Sequence, residues 1–75
     1  MTTLNQLRTG QRARIESLAG DAALVQRLYE IGLLEGEEVE LLGVAPLGDP
    51  IEIRVGNTRL SLRRREAVGV EVEVL

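Results

Sequence analysis

Hydrophobic and polar positions change period several times along the 75-residue chain, and each change marks an element. Leu4 and Leu7, three apart, suit a single helical or 3₁₀ turn that Gly10 stops. Arg12-Ala13-Arg14-Ile15-Glu16 alternates as a half-buried strand does. Gly20-Asp21 breaks that pattern and offers Asp21 as a helix N-cap. From Ala22 to Ile31 the spacing turns helical: at about 100° per residue, Leu24, Leu28 and Ile31 form one stripe. Val25 and Tyr29 lie beside the stripe, and Gln26, Arg27 and Glu30 face away. Gly32 is placed to end the helix in a left-handed conformation. Leu33-Leu34-Glu35-Gly36 then makes a short connection, with Gly36 turning the chain into the next strand.

The remainder reads as strands. Glu38-Val39-Glu40-Leu41 alternates until Leu42 breaks the pattern, as a bend or bulge would. Pro46-Leu47-Gly48-Asp49-Pro50 is dense in turn formers. Ile51 to Val55 and Arg59 to Leu62 alternate again around Gly56-Asn57. A type II′ turn there pairs Val55 with Thr58, Ile53 with Leu60 and Ile51 with Leu62, so every apolar pair falls on one face. Arg63 to Glu66 reads as a short polar turn of helix or 3₁₀, and Val70-Glu71-Val72-Glu73-Val74 as the last strand. The expected fold is mainly β: a small SH3-like five-stranded barrel with one inserted α-helix over 22–31 and short helical turns. Residues 1–75 are expected to form one domain.

Composition narrows the chemistry. The chain holds 25 branched aliphatics (13 Leu, 4 Ile, 8 Val), enough for one compact core and far from a disordered composition. A chain of this size buries only roughly 60% of its unfolded surface, and a stability of about 4–11 kcal/mol is expected. Without Cys or His, disulfides, the usual zinc and copper ligand sets and Ser–His–Asp or Cys–His catalysis are all excluded. One Tyr and no Phe or Trp leave nothing for base-stacking platforms. All nine basic residues are Arg, outnumbered by twelve acids for a net charge of −3, which disfavours a nucleic-acid partner. No apolar run approaches membrane-spanning length and Met1-Thr2-Thr3-Leu4 is unlike a signal peptide, so a soluble cytoplasmic protein without membrane insertion is expected.

Three phrases go beyond generic pattern. Arg27-Leu28-Tyr29-Glu30-Ile31-Gly32-Leu33-Leu34-Glu35-Gly36 resembles the R-L-x-x-(L/I)-G-(L/M)-x-x-G signature of the ferrous iron transport protein A (FeoA) family. Ala45-Pro46-Leu47-Gly48-Asp49-Pro50-Ile51 matches that family's A-P-L-G-D-P-(I/L) loop, and Arg59-Leu60-Ser61-Leu62-Arg63 resembles its closing L-(S/A)-L-R segment. The agreement runs from Leu4 to Val74. It implies an SH3-like barrel in its free-standing form, with no winged-helix segment before Leu4. It also implies an accessory role in bacterial ferrous iron uptake. The implied partner is the ferrous iron permease with its cytoplasmic G-protein domain, ferrous iron transport protein B (FeoB). A related domain forms the C-terminal part of iron- or manganese-dependent repressors, which supplies the alternative reading: a metal-responsive regulatory module. A generic RNA-binding barrel is the third reading, and the acidic balance speaks against it.

The candidate contact residues on the helix are Val25, Leu28 and Tyr29, Leu28 doubling as part of the core-facing stripe; an exposed Tyr suits a protein interface. In the predicted hairpin, Arg54 faces Arg59 across the strands, a like-charge pair that costs stability. Unless Glu38 or Glu40 sits alongside, that pair would face an acidic patch of the partner. Gly32, Gly36, Pro46, Gly48, Asp49 and Pro50 are read as structural, setting turns and strand register. Arg63-Arg64-Arg65 reads as a solvated surface. Glu35, Glu37, Glu38 and Glu40 cluster, yet without His or Cys any iron site there would be weak and unselective, so no metal, cofactor or catalytic residue is assigned. Exposed strand edges leave homo-oligomers open.

Overall fold

The computed structural model describes residues 2–75. In chain order the elements are β1 (Thr2–Thr3), a 3₁₀ turn at Leu4–Gln6, β2 (Arg12–Leu18), α1 (Ala22–Glu30), β3 (Glu38–Val44), β4 (Ile51–Val55), β5 (Thr58–Leu62), α2 (Arg64–Ala67) and β6 (Val70–Val74). The strands form one antiparallel sheet in the order β1-β6-β2-β3-β4-β5. The mainly β class with one inserted helix stands as expected, but the strand count is six. The extra strand is β1, whose Thr2 and Thr3 pair with Val72 and Glu71. Two residues are too few to show an alternating pattern.

The hairpin forms in the expected register, with Val55 opposite Thr58, Ile53 opposite Leu60 and Ile51 opposite Leu62. Gly56 takes φ +59° and Asn57 does not take a positive φ, as a type II′ turn requires. The break at Leu42 is a β-bulge: the β3–β4 register shifts between Leu41 and Gly43. A second shift, between Ile15 and Ser17 on β2, bends the pairing with β6. Bulges on two strands let so small a sheet coil around one core.

Ala13, Ile15, Val39, Leu41, Ile51, Ile53, Val70 and Val72 are buried from the sheet, and Leu4, Leu28, Leu33 and Ala67 from the helical turns and connections join the same core cluster. Among the described residues no helix is long and apolar enough to cross a membrane.

Candidate docking surface

α1 starts where Asp21 Oδ1 accepts the Leu24 N–H at 2.8 Å, satisfying a donor that helix starts leave open. It ends at Glu30, with Ile31 as the C-cap. Gly32 follows at φ +101°, its N–H donating to Tyr29 O, while Leu33 N–H donates to Leu28 O, each at 3.0 Å. That pair of bonds is a Schellman motif. Its consequence is positional: Leu33 is driven back under the helix into the cluster that holds Leu28.

This geometry sorts the helix candidates. Leu28 is fully buried and is removed from the contact set, because a side chain without accessible surface cannot meet a partner. Leu24 and Ile31 pack partly on the core. Val25 is half-buried, and Tyr29 is 38% exposed. The Tyr29 hydroxyl donates to Glu35 Oε2 at 2.7 Å, so the ring is steered toward the post-helix connection rather than left free to rotate. Leu34, also exposed, adds apolar surface on that connection, which the sequence reading passed over.

The hydrogen bond from Tyr29 holds the Glu35 carboxyl below the ordinary glutamate range, helped by a backbone N–H; the same bond raises the Tyr29 hydroxyl above its ordinary value. A depressed carboxyl pKa means that the contribution of this bond is present near neutrality and lost as pH falls through the folded-state value. An NMR titration of Glu35 is expected to show a midpoint below the ordinary range that Tyr29→Phe returns toward it. A midpoint indifferent to Tyr29→Phe would show that the hydroxyl is not the cause.

The arginine pair resolves differently from the expectation. Arg54 and Arg59 do face each other across β4 and β5. Arg54, however, lies 3.3 Å from Glu40, the neighbour that would relieve it, and Arg59 lies 3.1 Å from Glu52. Each guanidinium has its own carboxylate, so the like-charge argument for an anion-facing surface lapses. Two of the four clustered glutamates are similarly occupied: Glu35 by Tyr29 and Glu40 by Arg54. Among the described residues no three acidic side chains come together in a way that could hold a metal ion.

Two interactions were not visible from local pattern. Glu66 has only 7% of its side chain exposed, accepts the Arg63 N–H at 2.9 Å, and meets the Arg27 guanidinium from α1. Its burial is tolerable because both oxygens are bonded. Arg27 thereby ties α1 to α2, fixing the helix that carries Val25 and Tyr29. Arg64 is the second case, lying over the 45–50 loop. Its Nε donates to Gly48 O, a terminal nitrogen donates to Asn5 O at 2.9 Å, and its backbone N–H donates to Asp49 Oδ1 at 2.9 Å.

The FeoA domain family model matches residues 2–74. The Fe(2+) transport protein A/Fe(2+) transporter FeoB fusion protein of Porphyromonas gingivalis is 35% identical over 72 residues, covering 96% of this chain. This chain spans 8% of the length of that curated relative. The solution structure of iron(II) transport protein A from Clostridium thermocellum superposes with a TM-score of 0.94 at 44% identity, over 99% of this chain and 46% of that one. Stenotrophomonas maltophilia FeoA complexed with zinc, a prokaryotic SH3 domain protein, gives 0.84 at 36% identity, over 97% of this chain and 91% of that one. A manganese-dependent transcriptional repressor shares the fold alone: TM-score 0.90 at 16% identity, over 99% of this chain and 41% of the repressor. With the helix signature, the clamped proline loop and the SH3-like sheet all in place, this chain belongs to the FeoA domain family.

Proposed function

We propose that the chain is a cytoplasmic, non-enzymatic accessory protein of bacterial ferrous iron uptake that acts by contact with the FeoB permease. The observation that carries this reading is the Porphyromonas gingivalis relative, in which a FeoA part and a FeoB part share one polypeptide. Fusion makes their meeting intramolecular, at an effective concentration on the order of millimolar for a short flexible linker. Where the two are separate polypeptides, the same association rests on the FeoA surface alone. Val25 and Tyr29 on α1 are the residues assigned to it, held in place by the Asp21 cap, the Schellman end and the Arg27–Glu66 link.

Contact changes transport only if it discriminates between conformations of the permease. A surface that binds one state a hundredfold more tightly moves that equilibrium by about 2.8 kcal/mol. The test is binding of the purified chain to FeoB of the same organism, nucleotide-free, with GDP and with a non-hydrolysable GTP analogue. Affinity is expected to differ between nucleotide states, and Tyr29→Ala is expected to weaken it by roughly tenfold or more. Absence of binding in every state would overturn the reading; equal binding by Tyr29→Ala would remove α1 from it.

A further inference from the structure

The loop between β3 and β4 carries a side chain that its surroundings do not explain. Leu47 is 97% exposed, the most exposed large hydrophobic residue among those described. A lone exposed Leu is ordinary on a protein surface. This one sits on a loop that is fastened on every side. Gly48 N–H donates to Ala45 O at 2.7 Å, and Ala45 N–H donates to Pro50 O at 3.0 Å. Arg64 grips Gly48 O and Asn5 O, and Asp49 accepts the Arg64 N–H. Arg63 adds an ion pair to Asp49 at 3.7 Å. Such a tip loses little conformational freedom when it is seated in a cavity, which is the advantage of a preorganised contact.

The charge around the tip gives the other half of the argument. Arg64 spends its guanidinium on two backbone carbonyls, so its charge is not neutralised by a carboxylate. Arg65 has no carboxylate partner among the described residues. Arg63 shares Asp49, and Arg27 shares Glu66. Arg64, which clamps the loop, and Arg65 beside it in sequence therefore carry two positive charges that no carboxylate among the described residues neutralises, on a chain whose net charge is −3. An apolar knob with a positive collar complements an apolar socket with a negative rim.

We propose that Leu47 is the anchor of a second docking contact, inserting into an apolar pocket rimmed by carboxylates on a folded protein partner. A membrane is the poorer fit, because even a whole acyl chain anchors only marginally and this tip offers one Leu flanked by Pro46 and Gly48. The proposal rests on the reading that the chain works by contact with FeoB, but on a surface separate from Val25 and Tyr29.

The experiment measures binding of the full chain to purified FeoB for wild type, Leu47→Ala, Leu47→Asp, Leu47→Met and Arg65→Glu. Leu47 touches nothing that holds the fold, so its variants are expected to melt within about 2 °C of wild type. Leu47→Ala is expected to lose at least tenfold in affinity and Leu47→Asp more, while Leu47→Met stays within about threefold. Arg65→Glu is expected to slow association and flatten its salt dependence. If wild type binds and Leu47→Ala binds equally, this proposal falls and the contact reading survives. If wild type does not bind in any nucleotide state, both fall. Sedimentation with anionic vesicles, or concentration-dependent self-association, that Leu47→Asp abolishes would put lipid or a second copy in the pocket's place and overturn it as well.

Discussion

Gly69→Ala is expected to destabilise the fold by about 2–4 kcal/mol, at the upper end of what overpacking does. A Cβ at residue 69 would lie 2.1 Å from Ala19 O and 3.1 Å from Ala19 C. Backbone atoms cannot swing aside as the end of a flexible side chain can. Nor can the two segments part freely, because Ala19 N–H donates to Gly69 O at 2.7 Å. This bond sits where β2 ends and β6 begins, directly beyond the Leu18–Val70 pair. Relief of the clash must therefore loosen the β2–β6 pairing. For a domain of this size each kcal/mol moves the melting temperature by about 4–8 °C, so a fall of roughly 8–32 °C is expected in thermal denaturation. Gly43→Ala is the internal comparison: a Cβ there meets nothing within 4 Å. Similar melting temperatures for the two variants would refute the steric argument.

Leu33→Ala is expected to cost about 2–5 kcal/mol, the range for truncating a fully buried Leu. The residue has no accessible surface and belongs to the cluster that includes Leu28. It also completes the helix end, since its N–H satisfies Leu28 O while Gly32 N–H satisfies Tyr29 O. Against a total of about 4–11 kcal/mol, this one truncation removes a large share of the stability. Urea unfolding reads the total. Hydrogen exchange at the Gly32 and Leu33 amides reads whether the C-terminal turn of α1 opens ahead of the sheet. A loss below about 1 kcal/mol would mean that the cavity collapses without consequence and that the helix end does not depend on this side chain.

Elements whose cause is local were legible in the chain itself. The β4–β5 hairpin followed from alternation on both sides of Gly56-Asn57, and the α1 start from Asp21, because the partners lie within a few residues. Long-range causes left no local trace. Glu66 sits in an Arg-rich tetrad that reads as solvent-facing, and its burial depends on Arg27, 39 residues earlier. Gly69 looks like an ordinary turn residue until Ala19 is brought against it. Leu28 could be assigned both to the core stripe and to a contact face, since the helical wheel gives an angle but not the depth at which the helix seats. Arg54 and Arg59 were correctly placed opposite each other, yet whether Glu40 and Glu52 reached them depended on side-chain geometry. At the candidate surface, sequence supplied Tyr29 and Val25; the bond to Glu35 and the exposure of Leu47 came from the folded arrangement.

The position of β6 in the sheet has a consequence for the order in which the fold can close. The strand synthesised last among the elements is not at the sheet's margin but between β1 and β2. A partly folded chain in which Val70–Val74 has not yet docked can close the β4–β5 hairpin and the β3–β4 ladder, but β2 has only β3 to pair with and β1 has nothing. The sheet therefore completes only after β6 docks, and until then one side of β2 is an unprotected edge of the kind that recruits other chains.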